Sequence, residues 1–172
     1  MNNERLDFLY LIDKTENGYD WNWYIFQNNY DWGNIICYGN AASYDIALLI
    51  AEEIETMWSE PNAIVELNNT SYFVRFIANT QYNSFLQPNS ILENQNPKNN
   101  YFRIEEYSKI DISCVDAIGS NTGYFKLANL YKGSTTAAHE FGHSLGLIHP
   151  KELNIVGKGR PRIMYPRGSW VD

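Results

Sequence analysis

The sequence predicts an α+β fold in a single domain, and three observations support this. Several segments with alternating or aromatic-rich apolar residues are typical of strands, whereas two segments have the three- and four-residue spacing of helices. The order is strands, helix, strands, helix and an irregular tail, which favours a sheet with helices packed on it. With 172 residues, 44% of them hydrophobic, the chain can bury one core.

The N-terminal strand candidates are residues 5–13 (RLDFLYLID) and residues 19–39, where two aromatic-rich stretches flank the turn-like NNYDWG. An alternative interpretation is an aromatic-rich carbohydrate- or protein-binding module with a non-catalytic metal site. Its stacking surface would be Trp21, Trp23, Tyr24, Tyr30 and Trp32. Aromatic residues of this kind more often lie in cores or cross-strand pairs.

The first helix is predicted over residues 43–58. Ser43 is a suitable N-cap, and Pro61 marks the end. Apolar residues recur at helical spacing and predict one buried stripe: Ile46, Leu49, Ile50, Ile54 and Met57.

The middle of the chain is predicted to be mostly strands. Residues 62–80 resemble two strands around Asn68–Asn69, and the asparagine-rich residues 89–100 resemble an exposed loop. Strand-like segments then follow at YFRIEEY, KIDISCVDAIGS and GYFKLANLY.

The charge balance excludes some partners. A net charge of −7 and a pI of about 4.9 argue against nucleic acid or an anionic membrane, because each requires a basic face. No segment is apolar enough to span a bilayer, and the N-terminus lacks a signal-peptide pattern. We therefore expect a chain that stays where it is made, or that is secreted or delivered to a target by a signal on another part of a longer protein.

All three histidines lie in TTAAHEFGHSLGLIHP. Ser134, Thr135 or Thr136 can cap a helix here, and Gly146 can end it. On such a helix His139 and His143 project from one face, and a turn at Gly146 can bring His149 back to the same point. Three imidazoles with an open fourth position are typical of a catalytic zinc site.

Glu140 follows the first of these histidines and would stand beside the metal without binding it. A carboxylate there can take a proton from a metal-activated water and later give it to a leaving amine. Zn²⁺ is therefore the expected cofactor and Glu140 the expected general base. An inactive metal-binding domain is a third interpretation, which the intact glutamate disfavours.

The pattern H-E-x-x-H-x-x-G-x-x-H, here His139-Glu140, His143, Gly146 and His149, resembles the signature of metzincin zinc endopeptidases. Met164 in RPRIMYPRG resembles the Met-turn of that family. The resemblance implies a twisted mixed sheet with an antiparallel edge strand, a backing helix and an active-site helix. It also implies an N-terminal lobe of about residues 1–146 and a minimal C-terminal lobe of about residues 147–172.

The resemblance further implies how a peptide substrate would bind. An edge strand around Ser113–Ile118 would add the peptide as a further strand, with contacts from Ser113, Val115 and Ala117. The residues after Met164 would wall a side-chain pocket: Tyr165, Pro166 and Arg167. A tyrosine that reaches the zinc in some relatives is replaced here by Pro166, so a fifth protein ligand is not expected.

The two cysteines, Cys37 and Cys114, can form a disulfide or remain buried thiols, and neither resembles a propeptide switch. The expected partners are a peptide or protein substrate. A small domain of this kind also suits the toxin or effector part of a bacterial protein, restrained by an inhibitor or immunity protein.

Overall fold

The described part of the chain has an α+β architecture with a five-stranded mixed sheet, a separate hairpin and three α-helices. The structure is a computed structural model and describes residues 30–67, 69–96, 98–107 and 111–166. In chain order the elements are β1 (Tyr30–Tyr38), α1 (Tyr44–Ser59), β2 (Ile64–Leu67), β3 (Thr70–Phe73), β4 (Phe76–Tyr82), α2 (Pro88–Leu92), β5 (Asn99–Glu105), β6 (Cys114–Val115), β7 (Thr122–Lys126), a 3₁₀ turn (Leu127–Asn129) and α3 (Thr136–Ser144).

The main sheet has the strand order β4-β1-β5-β7-β6. The first four strands are parallel, and β6 runs antiparallel to β7 with Cys114 opposite Tyr124. Strands β2 and β3 form their own antiparallel pair. A mixed sheet with an antiparallel edge strand was the expected arrangement. The edge strand occupies Cys114–Val115, which lies within the predicted Ser113–Ile118 but is shorter.

Helix α1 forms as its sequence predicts. The Ser43 hydroxyl accepts the backbone N–H of Ile46 at 3.2 Å, which caps the first turn. Of the predicted stripe, Ile50 and Ile54 are buried, while Ile46, Leu49 and Met57 are partly buried. The small residues between them, Ala47 and Ala51, are also buried, because the helix packs closely on β4, β1 and α3.

The core lies between one face of the sheet and the helices α1 and α3. The rings of Phe102 and Phe125 stack at a centroid separation of 4.5 Å in its centre. Helix α3 adds Ala137 and Phe141 to this cluster, and Leu145 at its C-cap joins them, so the histidine-bearing helix is anchored on the sheet by its apolar side.

Two predicted strands are too long. Residues 109–120 were expected to be strand-like, but among those described only Cys114–Val115 pair with a neighbour. The chain then leaves the sheet, because the N–H of Gly119 donates to the carbonyl of His143 at 2.8 Å. The strand predicted for residues 123–131 ends at Lys126 and continues as a 3₁₀ turn.

Three other boundaries also differ from the predictions. Residues 62–80 form three strands, because Phe76–Tyr82 leaves the hairpin and joins the main sheet beside β1. The predicted loop of residues 89–100 contains most of the short helix α2, whose Pro88 suits the first helical position. Strand β1 begins inside the predicted turn NNYDWG, at Tyr30. The strand predicted at residues 5–13 and the first candidate in 19–39 lie outside the described residues.

Candidate metal centre

Two side chains outside the helix fix the start of α3. The buried Ser134 hydroxyl accepts the N–H of Thr136 at 3.0 Å and donates to the carbonyl of Asn129 at 2.8 Å. The Glu53 carboxylate on α1 accepts the N–H of Ala138 at 3.1 Å. These acceptors satisfy backbone donors that the first turn leaves unpaired. Thr135 occupies the N-cap position but makes no side-chain cap bond, and the preceding Ser134 supplies the capping hydroxyl instead.

The end of α3 returns the chain toward its own histidines. Gly146 has φ +92°, and its N–H donates to the carbonyl of His143 at 3.0 Å. The N–H of Leu147 donates to the carbonyl of Gly142 at 3.0 Å. This pair of bonds is a Schellman motif, which glycine favours because it adopts a positive φ without strain. The predicted stop at Gly146 is confirmed, and His149 lies three residues beyond it.

The three imidazoles converge on one point through their Nε2 atoms. The Nε2 separations are 3.2 Å for His139–His143, 3.0 Å for His139–His149 and 3.0 Å for His143–His149. The predicted convergence of His139, His143 and His149 is confirmed, and these three residues can hold one metal ion.

Two of the rings have their protons fixed by backbone carbonyls. The Nδ1 atom of His139 lies 2.7 Å from the carbonyl oxygen of Ile163, and that of His143 lies 2.8 Å from the carbonyl oxygen of Leu147. A carbonyl only accepts, so each Nδ1 carries a proton, and a neutral ring of this tautomer presents its lone pair on Nε2. In this tautomer the Nε2 atoms of His139 and His143 can both ligate one cation.

The donor set fits a zinc ion. Tetrahedral zinc with Zn–N bonds of about 2.0–2.1 Å separates its nitrogen ligands by about 3.3 Å, close to the separations found here. Burial lowers the pKa of His139 and of His149, with nearby histidines adding to the effect. The lowered pKa values favour the neutral form of these two rings, which is the form that ligates metals. His143 is buried and His149 is exposed, so the triad opens to solvent on one side.

Glu140 points toward the edge strand. Its Oε2 accepts the backbone N–H of Val115 at 3.2 Å, a bond between α3 and the two-residue strand β6. Burial raises the pKa of this carboxyl to about 7, and the Val115 N–H opposes the rise. Oε1 is left without a protein donor in the described part of the chain, and this oxygen can exchange a proton with a ligand.

Met164 packs against helix α3 at Gly142. Its side chain is buried, and its sulfur occupies the space where a β-carbon on Gly142 would be. The same turn supplies the Ile163 carbonyl to His139 and is closed by the Tyr165 N–H, which donates to the carbonyl of Arg162 at 3.0 Å. One short turn therefore both orients a ring and supports the helix.

The predicted substrate contacts differ in their surroundings. Ser113 is buried, and its hydroxyl accepts the N–H of Lys126 and the amide of Asn129, each at 3.1 Å, so its side chain serves the fold. Val115 is partly buried and Ala117 is exposed. Tyr165 and Pro166, which follow Met164, are partly buried, while Arg167 lies outside the described residues.

The cysteines are thiols, because Cys37 and Cys114 are both free. Cys37 lies in the core, where burial raises its pKa to about 12. Such a thiol is unreactive. The aromatic stacking surface stays a prediction, because three of its residues lie outside the described range and the surroundings of Tyr30 and Trp32 are not described.

Sequence reasoning missed the groups from α1 that hold α3. Glu53 binds the N–H of Ala138, and the indole N–H of Trp58 donates to the carbonyl of the same residue at 2.9 Å. Both residues lie on the predicted first helix, but their shared partner, Ala138, lies 80 or more residues away. Only the acidic character of Glu53 gave a signal, since carboxylates favour helix N-termini.

Comparisons of the chain with protein-family models, curated proteins and solved structures found no match. Among the described helices, none is both long and apolar enough to cross a membrane. A proposal for the function therefore rests on the chemistry of the site itself.

Proposed function

We propose that the chain is a zinc-dependent endopeptidase of the metzincin type, which hydrolyses peptide bonds with a metal-activated water. The convergence of three Nε2 atoms within 3.2 Å of one another carries this proposal. In two of the rings a backbone carbonyl accepts from Nδ1, which leaves Nε2 as the nitrogen that can ligate a metal. Three neutral ligands without a fourth protein ligand are typical of catalytic rather than structural zinc.

His139, His143 and His149 would hold the ion. A bound zinc supplies Lewis-acid chemistry, since it lowers the pKa of water and polarises a carbonyl group. The Ile163 and Leu147 carbonyls orient two of the rings, a role that raises ligand basicity. Met164 would serve as the Met-turn residue under this site.

Glu140 is the proposed general base. Val115 fixes its Oε2, so Oε1 accepts the proton from the attacking water and then returns it to the leaving amine. In this assignment β6 also positions the base, because the N–H of Val115 faces away from β7 and donates to Glu140. A substrate strand would therefore pair with the carbonyl of Val115 and the N–H of Ala117, since the Ala117 carbonyl already accepts the N–H of Ser120 at 2.9 Å.

The substrate is proposed to be an extended peptide or an unfolded protein segment. By resemblance, Tyr165, Pro166 and Arg167 would wall a side-chain pocket. A toxin or effector role, with an inhibitor or immunity protein as partner, remains part of the proposal.

Cleavage of an unfolded protein mixture by zinc-loaded chain tests the proposal. We expect Glu140→Gln to retain zinc and to lose at least about 100-fold in activity, the usual range for a general base. Glu52→Gln is the matched control, because it neutralises an exposed carboxylate on α1 and leaves Glu140 and residues 147–166 unchanged. Wild-type activity in Glu140→Gln, or no cleavage by the zinc-loaded wild type, would reject the proposal.

A further inference from the structure

We infer that the site prefers peptides with acidic residues, bound along the basic segment of residues 147–166. This inference rests on the proposed peptidase function and adds a substrate class to it. The segment carries four cations and one acid, Glu152, a net charge of +3 against −7 for the whole chain, so all other residues together carry −10. The cations are Lys151, Lys158, Arg160 and Arg162.

These cations are available to a ligand. All four side chains are exposed. The ion pairs of the described residues are Arg103 with Glu105 and Lys126 with Asp111, and none of the four cations takes part in them. The Lys158 ammonium has only a long contact of 3.4 Å to the carbonyl of Asn154. Exposed charges of one sign within a single short segment favour an oppositely charged partner.

The segment lies beside the triad at both ends. Lys151 is two residues after His149, so their Cα atoms are at most about 7.6 Å apart. Arg162 precedes Ile163, whose carbonyl lies 2.7 Å from Nδ1 of His139. A peptide that reaches the three histidines therefore passes within reach of these cations.

The edge-strand side carries an exposed acid. Asp116 follows Val115, and its carboxylate accepts a hydrogen bond from the hydroxyl of Thr122. Asp111 and Lys126 form an ion pair on the same side, so these two residues add no net charge there. Negative charge beside β6 and positive charge on residues 147–166 would orient a peptide by its own charges. A nucleic acid is disfavoured, because the remaining surface is acidic and repels a long polyanion.

Binding of three fluorescein-labelled peptides tests the inference. They share one core sequence and differ only in flanking Glu, Ser or Lys residues. The zinc-loaded Glu140→Gln variant binds them without cleaving them, and fluorescence anisotropy reports affinity. At about 50 mM salt the Glu peptide should bind roughly tenfold more tightly than the Lys peptide. At about 0.5 M salt the two affinities should differ by less than roughly twofold, because salt screens exposed charges.

Charge reversal locates the effect. Arg160→Glu in the Glu140→Gln background should lower the ratio of Glu-peptide to Lys-peptide affinity by at least roughly threefold. Arg75→Glu is the matched control, since Arg75 is exposed in the link between β3 and β4 and its reversal changes the net charge equally. Lys158→Glu replaces Arg160→Glu if circular dichroism shows that the latter is unfolded.

Several results would overturn the inference: equal binding of the three peptides, a preference independent of salt, the same loss in Arg75→Glu, or an oligonucleotide of matched charge that binds as tightly as the Glu peptide. Cleavage by the wild type separates the two proposals. Equal cleavage of all three peptides keeps the peptidase and rejects the charge preference. Preferential binding of the Glu peptide without any cleavage keeps the charge preference and rejects the peptidase.

Discussion

Gly142 leaves the space that the sulfur of Met164 occupies. A β-carbon at this position would overlap that sulfur and would lie 2.8 Å from Cζ2 of Trp58. A glycine inside a helix normally costs about 1 kcal/mol relative to alanine. Here that cost is offset because α3 can pack closely on the turn that carries Met164 and on Trp58 of α1.

We expect Gly142→Ala to destabilise the protein by about 1–3 kcal/mol, the usual cost of overpacking, although alanine is the better helix former. Urea denaturation measures this change. In a Met164→Ala background the cost of Gly142→Ala should be smaller, because the added methyl group then has room. A Gly142→Ala variant as stable as the wild type would show that this contact is not tight.

Ser134 and Thr135 give a matched pair at the start of α3. Ser134→Ala should lower the free energy of unfolding by about 1–2 kcal/mol, because it removes the bond to the Thr136 N–H and leaves the Asn129 carbonyl without its donor. Thr135→Ala should change it by less than about 0.5 kcal/mol, since its side chain caps nothing. Equal effects of the two substitutions in thermal unfolding would contradict the assignment of the cap.

Glu53 makes stability depend on pH in an uncommon direction. Burial raises the pKa of its carboxyl from the ordinary 4.5 to about 7, despite hydrogen bonds from Ala138 and Ala137. Between these values the folded state binds more protons than the unfolded state, so this group's contribution to stability falls as the pH rises from about 4.5 to about 7.

In Glu53→Gln that fall should be absent, while an acceptor for the Ala138 N–H is kept. The measurement is the free energy of unfolding of the metal-free wild type and variant at several pH values in this range. The difference between the two proteins isolates Glu53, because the histidines titrate in both. A difference that does not change with pH would contradict the raised pKa.

Local signals were sufficient for much of the fold and site. The cap at Ser43, the stop at Gly146 and the convergence of the histidines follow from short-range spacing, because helix geometry fixes which residues share a face. Strand lengths were less predictable. Residues 109–120 alternate like a strand, yet Gly119 bonds to the end of α3 and the pairing stops after Val115.

The supports of the site could not be predicted from spacing. Glu53 and Trp58 meet Ala138 only after α1 packs on α3, and Val115 meets Glu140 only across the sheet edge. The need for glycine at 142 likewise depends on Met164, 22 residues later in the chain. Such contacts arise from tertiary packing, which no local pattern encodes.

The zinc content of the purified chain tests the central claim most directly. After removal of metal by a chelator and reloading, elemental analysis should find about one zinc per wild-type chain, and each single alanine variant of His139, His143 and His149 should bind it much more weakly. A wild-type chain that takes up no zinc, or single variants that hold it as tightly as the wild type, would contradict the claim that these three rings share one metal ion.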